Sequence, residues 1–177
     1  MRIGPRVLVV GTSGSGKSVL AARLARALGG PHIELDAFQH GPGWSQRSAD
    51  ELRRRTGAAI AGHDVWVADG NYSDVRDVLW PRATTLVWLD YPRRVVMGRV
   101  VRRSLVRVVT RRELWNGNRS DWRRWGDPDH PIRWAWRTHA ANRAKYEALV
   151  VLPEWSHLEV VRLRQPGEAK ALLSLAR

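Results

Sequence analysis

Short apolar runs alternate along the chain with longer segments whose apolar residues recur every three or four positions. The short runs predict β-strands, and the longer segments predict helices. Strands that alternate with helices are typical of a parallel sheet with right-handed crossovers and helices on both faces. The pattern therefore predicts an α/β three-layer sandwich around a five-stranded parallel sheet. The predicted strands cover residues 6–10, 32–36, 65–68, 84–89 and 158–163.

Local start and stop signals delimit the predicted helices. The first begins near Lys17, and two glycines followed by Pro31 end it. Ser48, with Glu51 three residues later, matches a capping box for a helix that ends near Gly62. Further helices are predicted over residues 74–80, 92–110 and 131–150 and after a turn at 165–167.

The turn between the first strand and the first helix reads GTSGSGKS, which fits G-x-x-x-x-G-K-[ST] at every fixed position. Its glycines let backbone N–H groups point at phosphate oxygens, and the helix N-terminus adds positive potential. Lys17 is predicted to bridge the β- and γ-phosphates as a catalytic residue, and Ser18 to offer a hydroxyl to Mg²⁺. The predicted cofactors are therefore ATP (or GTP) and Mg²⁺. The predicted nucleotide-binding residues here are Gly11, Thr12, Ser13, Gly14, Ser15, Gly16, Lys17, Ser18 and Val19.

Three carboxylates end predicted strands, where ligand sites of open α/β sheets lie. Asp69 follows an apolar run, as a Walker B residue does, and is predicted to hold the Mg²⁺ shell; the alternative is a turn-forming Asp. Asp36 is predicted to orient the acceptor hydroxyl or take its proton, with helix or turn capping as the alternative. Asp90 is predicted to be the N-cap of the helix that opens at Pro92.

Positive charge is concentrated in one segment. The net charge is +13, and residues 93–145 contain fifteen Lys or Arg against four Asp or Glu. This indicates a nearby anion (nucleotide phosphates, a phosphorylated acceptor or nucleic acid), although solvated helix faces give the same composition. Arginines four apart form a stripe on the 92–110 helix, and its first members are predicted to approach the triphosphate. The stripe consists of Arg99, Arg103, Arg107 and Arg111.

A polar insertion at residues 111–131 is predicted to be a helical, arginine-rich lid on a single domain that spans 1–177. Arg119, near Arg123 and Arg124, is the predicted catalytic arginine that stabilises the transferring phosphoryl group. His130 and His139 have no metal-ligand spacing and are expected to be structural. Tryptophans among the arginines either stack bases or form the core of the lid: Trp115, Trp122, Trp125, Trp134 and Trp136.

Several classes of protein are excluded by composition. The absence of cysteine excludes disulfides, thiolate nucleophiles and a cysteine-ligated zinc site. The longest apolar runs have about five residues, whereas a membrane span needs about 20. The chain enters its first strand and phosphate loop without room for a signal peptide. We therefore expect a cytoplasmic protein without a membrane partner, and a monomer.

The segments GTSGSGKS, HIELD, PGW, VWVADGNYSDVRDVL, TTLVWLDYP and RELWNGNR together resemble the adenylate-kinase-like P-loop NTPases of the topology modulation protein family, over nearly the whole chain. The resemblance implies a P-loop kinase fold with a mobile lid. It also implies that Asp36 faces the acceptor, that Asn71 and Tyr72 lie on the acceptor side, and that the loop with Arg164 and Pro166 packs on adenine. The AMP segment of adenylate kinases is missing between the second and third strands, which argues against AMP as the acceptor.

These features lead us to expect an ATP/Mg²⁺-dependent phosphoryl transferase, a nucleotide or small-molecule kinase whose acceptor the sequence does not identify. The alternative is a nucleic-acid-binding protein regulated by ATP, or a nucleic-acid end kinase that combines both properties. A kinase fold without activity is a third reading, against which the intact Lys17, Ser18 and Asp69 argue. An N-K-x-D guanine signature is absent, so a GTPase switch is not expected.

Overall fold

Five parallel β-strands form one sheet at the centre of the fold. The computed structural model describes residues 3–110, 116 and 130–175. The strand order is β2-β3-β1-β4-β5, and every neighbouring pair is parallel. The predicted five-stranded parallel sheet is thereby confirmed, with the first strand in its middle. The strands are β1 (Arg6–Gly11), β2 (His32–Glu34), β3 (Trp66–Asp69), β4 (Thr85–Leu89) and β5 (Glu159–Leu163).

Seven α-helices flank the sheet within the described residues, and local signals set their ends. Gly29, in the left-handed region with φ of 77°, ends the first helix. The Ser48 side chain accepts a hydrogen bond of 3.3 Å from the Glu51 backbone N–H, as the capping-box motif predicts. The helices are α1 (Lys17–Leu28), α2 (Leu35–Gln39), α3 (Ala49–Ile60), α4 (Arg76–Leu79), α5 (Arg93–Thr110), α6 (Pro131–Leu149) and α7 (Pro166–Leu175).

Helices cover both faces of the sheet. Alternate residues of a strand point to opposite faces, and because those of β1 are apolar on both, each face needs a cover of its own. On one face, Val7 and Val9 belong to a core shared with α1, α7 and the first half of α5. On the other face, Leu8 and Val10 belong to a core shared with α3, α4 and the last turns of α6. Every residue of β3 and β4 is buried, as expected of parallel strands covered on both sides. In the described part of the chain, no helix combines the length and apolarity that a membrane span requires.

The segment 111–131, predicted to be the lid, falls almost wholly outside the described residues. The prediction of Arg119 as a catalytic residue falls there too, together with Arg111, Arg123, Arg124, Trp115, Trp122 and Trp125. The two histidines next to this segment have structural contacts, in agreement with the sequence interpretation. The His130 side chain accepts a hydrogen bond from the Ile132 backbone N–H at the start of α6, and His139 Nε2 lies 2.9 Å from the Tyr91 carbonyl oxygen.

The second strand is shorter than predicted. It ends at Glu34, and Leu35 and Asp36 already belong to α2. Glu34 lies opposite Asp69, the last residue of β3. Because β2 is an edge strand that pairs with β3 alone, no partner backbone continues beyond Glu34. The chain turns into a helix there, and Asp36 lies in its first turn.

The interpretation of Asp90 as a helix cap was wrong. The helix α5 begins at Arg93, and the Pro92 carbonyl accepts its first hydrogen bonds. The Asp90 carboxylate, 3% exposed, instead accepts hydrogen bonds of 2.9 and 2.6 Å from Nε and Nη2 of Arg162 and pairs with Arg143 at 3.1 Å. A two-pronged guanidinium contact is stronger than one backbone N–H donor. The carboxylate therefore ties β4 to β5 and α6.

Replacing Asp90 with alanine should lower the free energy of unfolding by about 1–3 kcal/mol, since Arg162 would lose the buried half of its ion pair. Asp77→Ala is the control, because Asp77 pairs with Arg53 on the surface, where the two side chains are 58% and 46% exposed. We expect the control to change stability by less than about 0.5 kcal/mol. Urea unfolding of both variants makes the comparison, and equal losses would contradict it.

Candidate active site

The loop that joins β1 to α1 has the backbone of a phosphate cradle. Gly11, Gly14 and Gly16 have φ values of 143°, 85° and 99°, which side-chain-bearing residues rarely adopt. A Cβ at Gly14 would collide with the Val100 side chain of α5, so the loop and this helix are in direct contact. The loop therefore has the curled form that lets successive N–H groups converge on an anion.

Lys17 opens α1 with its ammonium close to this loop. Its Nζ donates a hydrogen bond of 3.4 Å to the Thr12 carbonyl. Desolvation lowers the pKa of Lys17; the carboxylates of Asp36 and Asp69 oppose this shift, and the Arg103 guanidinium adds to it. Lys17 is thus a half-buried cation that feels the charges of two carboxylates and of a second cation.

Asp69 is the central carboxylate of the site. Its Oδ2 accepts a hydrogen bond of 2.8 Å from the Ser18 hydroxyl, and its Oδ1 lies 2.7 Å from His32 Nε2. Ser18 and Asp69 therefore bring together two oxygen ligands of the kind that Mg²⁺ takes when it also binds phosphates and water. The described residues contain no group of three or more His, Cys, Asp or Glu that could hold a metal ion.

His32 was not singled out by the sequence interpretation. It stands on β2 two residues before Glu34, and Glu34 is the register partner of Asp69. Residues two apart on a strand point to the same face, so His32 and Asp69 share a face of the sheet. The sequence alone predicts that His32 and Glu34 point to the same face of a strand. It does not predict that this strand pairs with β3, which is what brings His32 to Asp69.

Asn71 fixes the first residue of the phosphate loop. Its Nδ2 donates a hydrogen bond of 2.7 Å to the Gly11 carbonyl, and its Oδ1 accepts one of 3.2 Å from the Gly11 N–H. The Tyr146 hydroxyl of α6 donates to the same Oδ1 at 2.9 Å. The side chain of Asn71 thus lies against the phosphate loop, whereas the family resemblance implied a position on the acceptor side.

Asp36 and Tyr72 form a pair on the other side of the site. The Tyr72 hydroxyl donates a hydrogen bond of 2.7 Å to Asp36 Oδ1. Burial raises the pKa of Tyr72 well above its usual value, and the negative charge of Asp36 adds to the effect. Tyr72 is therefore a phenol that stays protonated and holds one oxygen of Asp36, which leaves the other oxygen for a further donor.

Two arginines of the predicted stripe on α5 reach the phosphate loop. Arg99 Nη1 donates to the Ser15 carbonyl at 2.5 Å, and its guanidinium lies 5.1 Å from the Tyr91 ring centre. Arg103 Nη2 donates to the Ser13 hydroxyl at 3.4 Å. Desolvation lowers the pKa of Arg103, which the nearby Asp36 opposes. The first members of the stripe thus contact the phosphate loop, and their approach to a triphosphate stays a prediction.

Residues from two further parts of the chain lie at the end of the sheet where the strands have their carboxyl ends. Arg164 and Pro166 lie at the carboxyl end of β5, where the Glu168 side chain accepts hydrogen bonds from the backbone N–H groups of Arg164 (2.6 Å) and Gln165 (3.3 Å). Near α2, Asn116 Nδ2 donates to the carbonyls of Ala37 (3.4 Å) and His40 (2.5 Å). Residue 116 therefore lies on the Asp36 side of the site.

The fold is similar to that of P-loop kinases of known structure. A gluconokinase from Sinorhizobium meliloti aligns over 99% of this chain and 91% of its own, with a TM-score of 0.53 and 20% identity. A shikimate kinase from Acinetobacter baumannii in complex with shikimate aligns over 97% and 89%, with a TM-score of 0.56 and 14% identity. A sugar kinase from a Janibacter species aligns over 97% and 94%, with a TM-score of 0.52 and 23% identity.

No protein-family model matches the chain, and the search of curated proteins gives no significant match. The structural similarities show the P-loop kinase fold. Membership of the topology modulation protein family stays a prediction.

Asn71→Ala should weaken ATP binding about tenfold, because it removes two hydrogen bonds of about 1 kcal/mol each from Gly11 and loosens the loop. Tyr146→Phe should have a smaller effect, because the bonds between Asn71 and Gly11 remain. Equilibrium binding of ATP to both variants tests this order. An Asn71→Ala protein that binds ATP like the parent chain would show that the side chain does not position the loop.

Proposed function

We propose that the protein is an ATP- and Mg²⁺-dependent kinase that transfers the γ-phosphoryl group to a hydroxyl of a small molecule or nucleotide. The observation that carries the proposal is the convergence of Lys17 and Arg103 on the phosphate loop. Lys17 Nζ donates to the Thr12 carbonyl and Arg103 Nη2 to the Ser13 hydroxyl. Burial lowers the pKa of both cations, and the charge of Arg103 lowers that of Lys17 further. An anion bound between the two side chains would offset the free-energy cost of keeping two positive charges close together and partly desolvated. A nucleoside triphosphate is the anion that a GTSGSGKS loop fits.

In this proposal, the nucleotide phosphates lie on the loop from Gly11 to Val19, and the base lies near Arg164 and Pro166. The surroundings of this loop support the position of the base. Glu168, in the first turn of α7, accepts hydrogen bonds from the backbone N–H groups of Arg164 and Gln165. Burial raises the pKa of Tyr91, and the charge of Glu168 adds to this shift while that of Arg99, whose guanidinium lies 5.1 Å from the Tyr91 ring centre, opposes it. GTP is the alternative donor.

Ser18 and Asp69 are the residues that would hold Mg²⁺. When bound, Mg²⁺ neutralises charge on the β- and γ-phosphate oxygens. Lys17 neutralises the same oxygens, and Arg103 approaches from α5. Arg119 remains the proposed lid arginine, which stabilises the phosphoryl group in transit.

Asp36 is the proposed acceptor-side carboxylate. In the proposed step, the acceptor oxygen forms a bond to the γ-phosphorus, and the bond from that phosphorus to the β,γ-bridging oxygen breaks to release ADP. The hydroxyl proton passes to Asp36. The Tyr72 hydroxyl holds Asp36 Oδ1, which directs the other oxygen of the carboxylate at the acceptor.

The test uses γ-labelled ATP with Mg²⁺ and a panel of acceptors: gluconate, shikimate, neutral sugars, nucleosides, nucleoside monophosphates, and short DNA or RNA with free ends. We expect label on one acceptor class and a loss of at least about 10³-fold with Lys17→Ala. Lys170→Ala is the matched control, because this lysine lies on the exposed surface of α7. Undiminished transfer by Lys17→Ala would overturn the proposed role of the loop.

A second candidate is an ATP-regulated nucleic-acid-binding protein or a nucleic-acid end kinase. The observation that favours it is the surface of α5 and α6, which carry ten basic residues and one acidic residue. Trp136 is 57% exposed with the Arg93 guanidinium 4.7 Å from its ring centre, and Trp134 is 44% exposed with Arg137 at 5.3 Å. Exposed aromatic rings beside arginines suit stacking on bases.

If this candidate holds, binding of a labelled single strand should fall steeply between 50 and 200 mM salt, measured by fluorescence anisotropy. Trp136→Ala should weaken it by about 1–3 kcal/mol, as expected for loss of one stacked base. Leu152→Ala removes an exposed apolar side chain elsewhere and should change nothing. A flat salt dependence would eliminate the candidate.

A further inference from the structure

The carboxylate of Asp69 has one hydrogen-bond partner on each of its oxygens. Oδ2 accepts from the Ser18 hydroxyl at 2.8 Å, and Oδ1 lies 2.7 Å from Nε2 of His32. Ser18 lies in the first turn of α1, His32 begins β2 and Asp69 ends β3, so three separate segments meet at this carboxylate. The side chain of Asp69 is only 3% exposed, and these two partners therefore determine how its oxygens are directed.

The proton of the contact between His32 and Asp69 belongs to the imidazole. An ionised carboxylate accepts hydrogen bonds and donates none, so Nε2 of His32 carries the proton and donates it to Oδ1. A protonated ring nitrogen has no lone pair to offer a metal ion. Through this nitrogen, His32 can therefore affect a metal ion only by way of Asp69.

The sheet holds the imidazole in place through the backbone. His32 is the register partner of Val67, two residues before Asp69 on the neighbouring strand. The Val67 N–H donates a hydrogen bond of 3.0 Å to the Pro31 carbonyl, just before β2 begins. Because these backbone contacts hold β2 against β3 without help from the imidazole, the hydrogen bond from His32 acts mainly on the orientation of the Asp69 carboxylate.

This orientation matters for the proposed metal ligands. Mg²⁺ requires near-ideal octahedral geometry and is usually held by one or two carboxylates together with phosphates and water. Oδ2 is the oxygen of Asp69 that faces the Ser18 hydroxyl. A carboxylate that turned about its last bond would exchange its two oxygens, and in between it would direct neither of them at Ser18. The hydrogen bond to Oδ1 removes this freedom.

We propose that His32 is a positioning residue for the divalent cation. By holding Oδ1 of Asp69, it keeps Oδ2 beside the Ser18 hydroxyl, so that these two oxygens can bind Mg²⁺ together. The inference rests on the proposed function, which assigns Ser18 and Asp69 to Mg²⁺, and it adds the residue that orients them. His32→Ala leaves Asp69 its charge and both oxygens, and so it removes the orientation alone.

The test measures how strongly Mg²⁺ and nucleotide support each other's binding. The dissociation constant of a fluorescent, non-hydrolysable ATP analogue is determined in EDTA and in saturating Mg²⁺, and the first value divided by the second gives the Mg²⁺ ratio. We expect His32→Ala to lower this ratio about tenfold, as is typical when a partner that orients a metal ligand is lost, without changing the constant in EDTA. A Mg²⁺ ratio that stays at the value of the parent chain would overturn the proposal.

Two amide variants separate the hydrogen bond from packing. The side-chain NH₂ of His32→Gln can reach the place of the histidine Nε2 and donate to Oδ1, whereas that of His32→Asn is too short. Gln should therefore restore most of the Mg²⁺ ratio and Asn should not; equal ratios would contradict the proposal. His63→Ala is the matched control, because it removes a histidine from the exposed loop after α3. Thermal unfolding without metal verifies that each variant is folded.

A double-mutant cycle tests whether His32 acts through Asp69. Asp69→Asn should itself lower the Mg²⁺ ratio, because it removes the negative charge. In that background, His32→Ala should change the ratio by less than about twofold, since the oxygen that it orients no longer binds the metal well. A further fall of the same size as in the parent chain would mean that His32 acts on the metal by another route, and the proposal would fail.

The same measurements distinguish this inference from the proposed function. A parent chain whose nucleotide binding ignores Mg²⁺ would remove the metal role of Ser18 and Asp69, and the inference with it. A Mg²⁺ ratio that depends on His32 in a protein that transfers phosphate to no acceptor would support the inference while counting against the kinase activity. Phosphoryl transfer combined with an unchanged Mg²⁺ ratio in His32→Ala would overturn the inference alone.

Discussion

The parallel pairing of β1 with β3, in which Val9 lies opposite Asp69, is the constraint on which the site depends. Because both strands run in the same direction, the loop that follows β1 emerges beside the carboxylate that ends β3. Hydrogen bonds between the two chain segments continue beyond the last paired residues of the strands. The Gly70 N–H donates to the Val9 carbonyl, and the Asn71 amide then bonds both backbone groups of Gly11. The register that buries the valines thus also sets the distance between Ser18 and Asp69.

Features of the site that rest on contiguous sequence could be predicted. The run RVLVV predicts a buried strand, and GTSGSGKS predicts the curled loop after it, since the glycines and the lysine that the loop needs are neighbours in the chain. The stripe of arginines on α5 could also be predicted, because helical periodicity alone places Arg99 and Arg103 on one face.

Features of the site that depend on partners far apart in the chain could not be predicted from the sequence. His32 and Asp69 are 37 residues apart, Gly11 and Asn71 are 60 apart, and Asp90 and Arg162 are 72 apart. For Asp90, the local sequence predicted a helix cap, whereas its carboxylate accepts hydrogen bonds from the guanidinium of Arg162 on another strand. For Asp36, the apolar pattern of HIELD extends beyond the point where the neighbouring strand ends, and a strand without a partner does not persist. The local sequence pattern thus predicts the helices and strands, whereas the order of the strands in the sheet determines which side chains come together at their ends.

The central place of β1 also has a consequence for biosynthesis. It is the first strand to be made, yet its partners follow late: Arg6 pairs with Trp66, and Val7 pairs with Thr85. At about 5–20 residues per second, the ribosome needs roughly 3–12 s to add the 60 residues between the first pair. Throughout that interval β1 has no partner strand, and the phosphate loop has no Asp69 beside it. The loop and its carboxylate can meet only after residue 69 has left the exit tunnel, so the site forms well after the loop itself has been made.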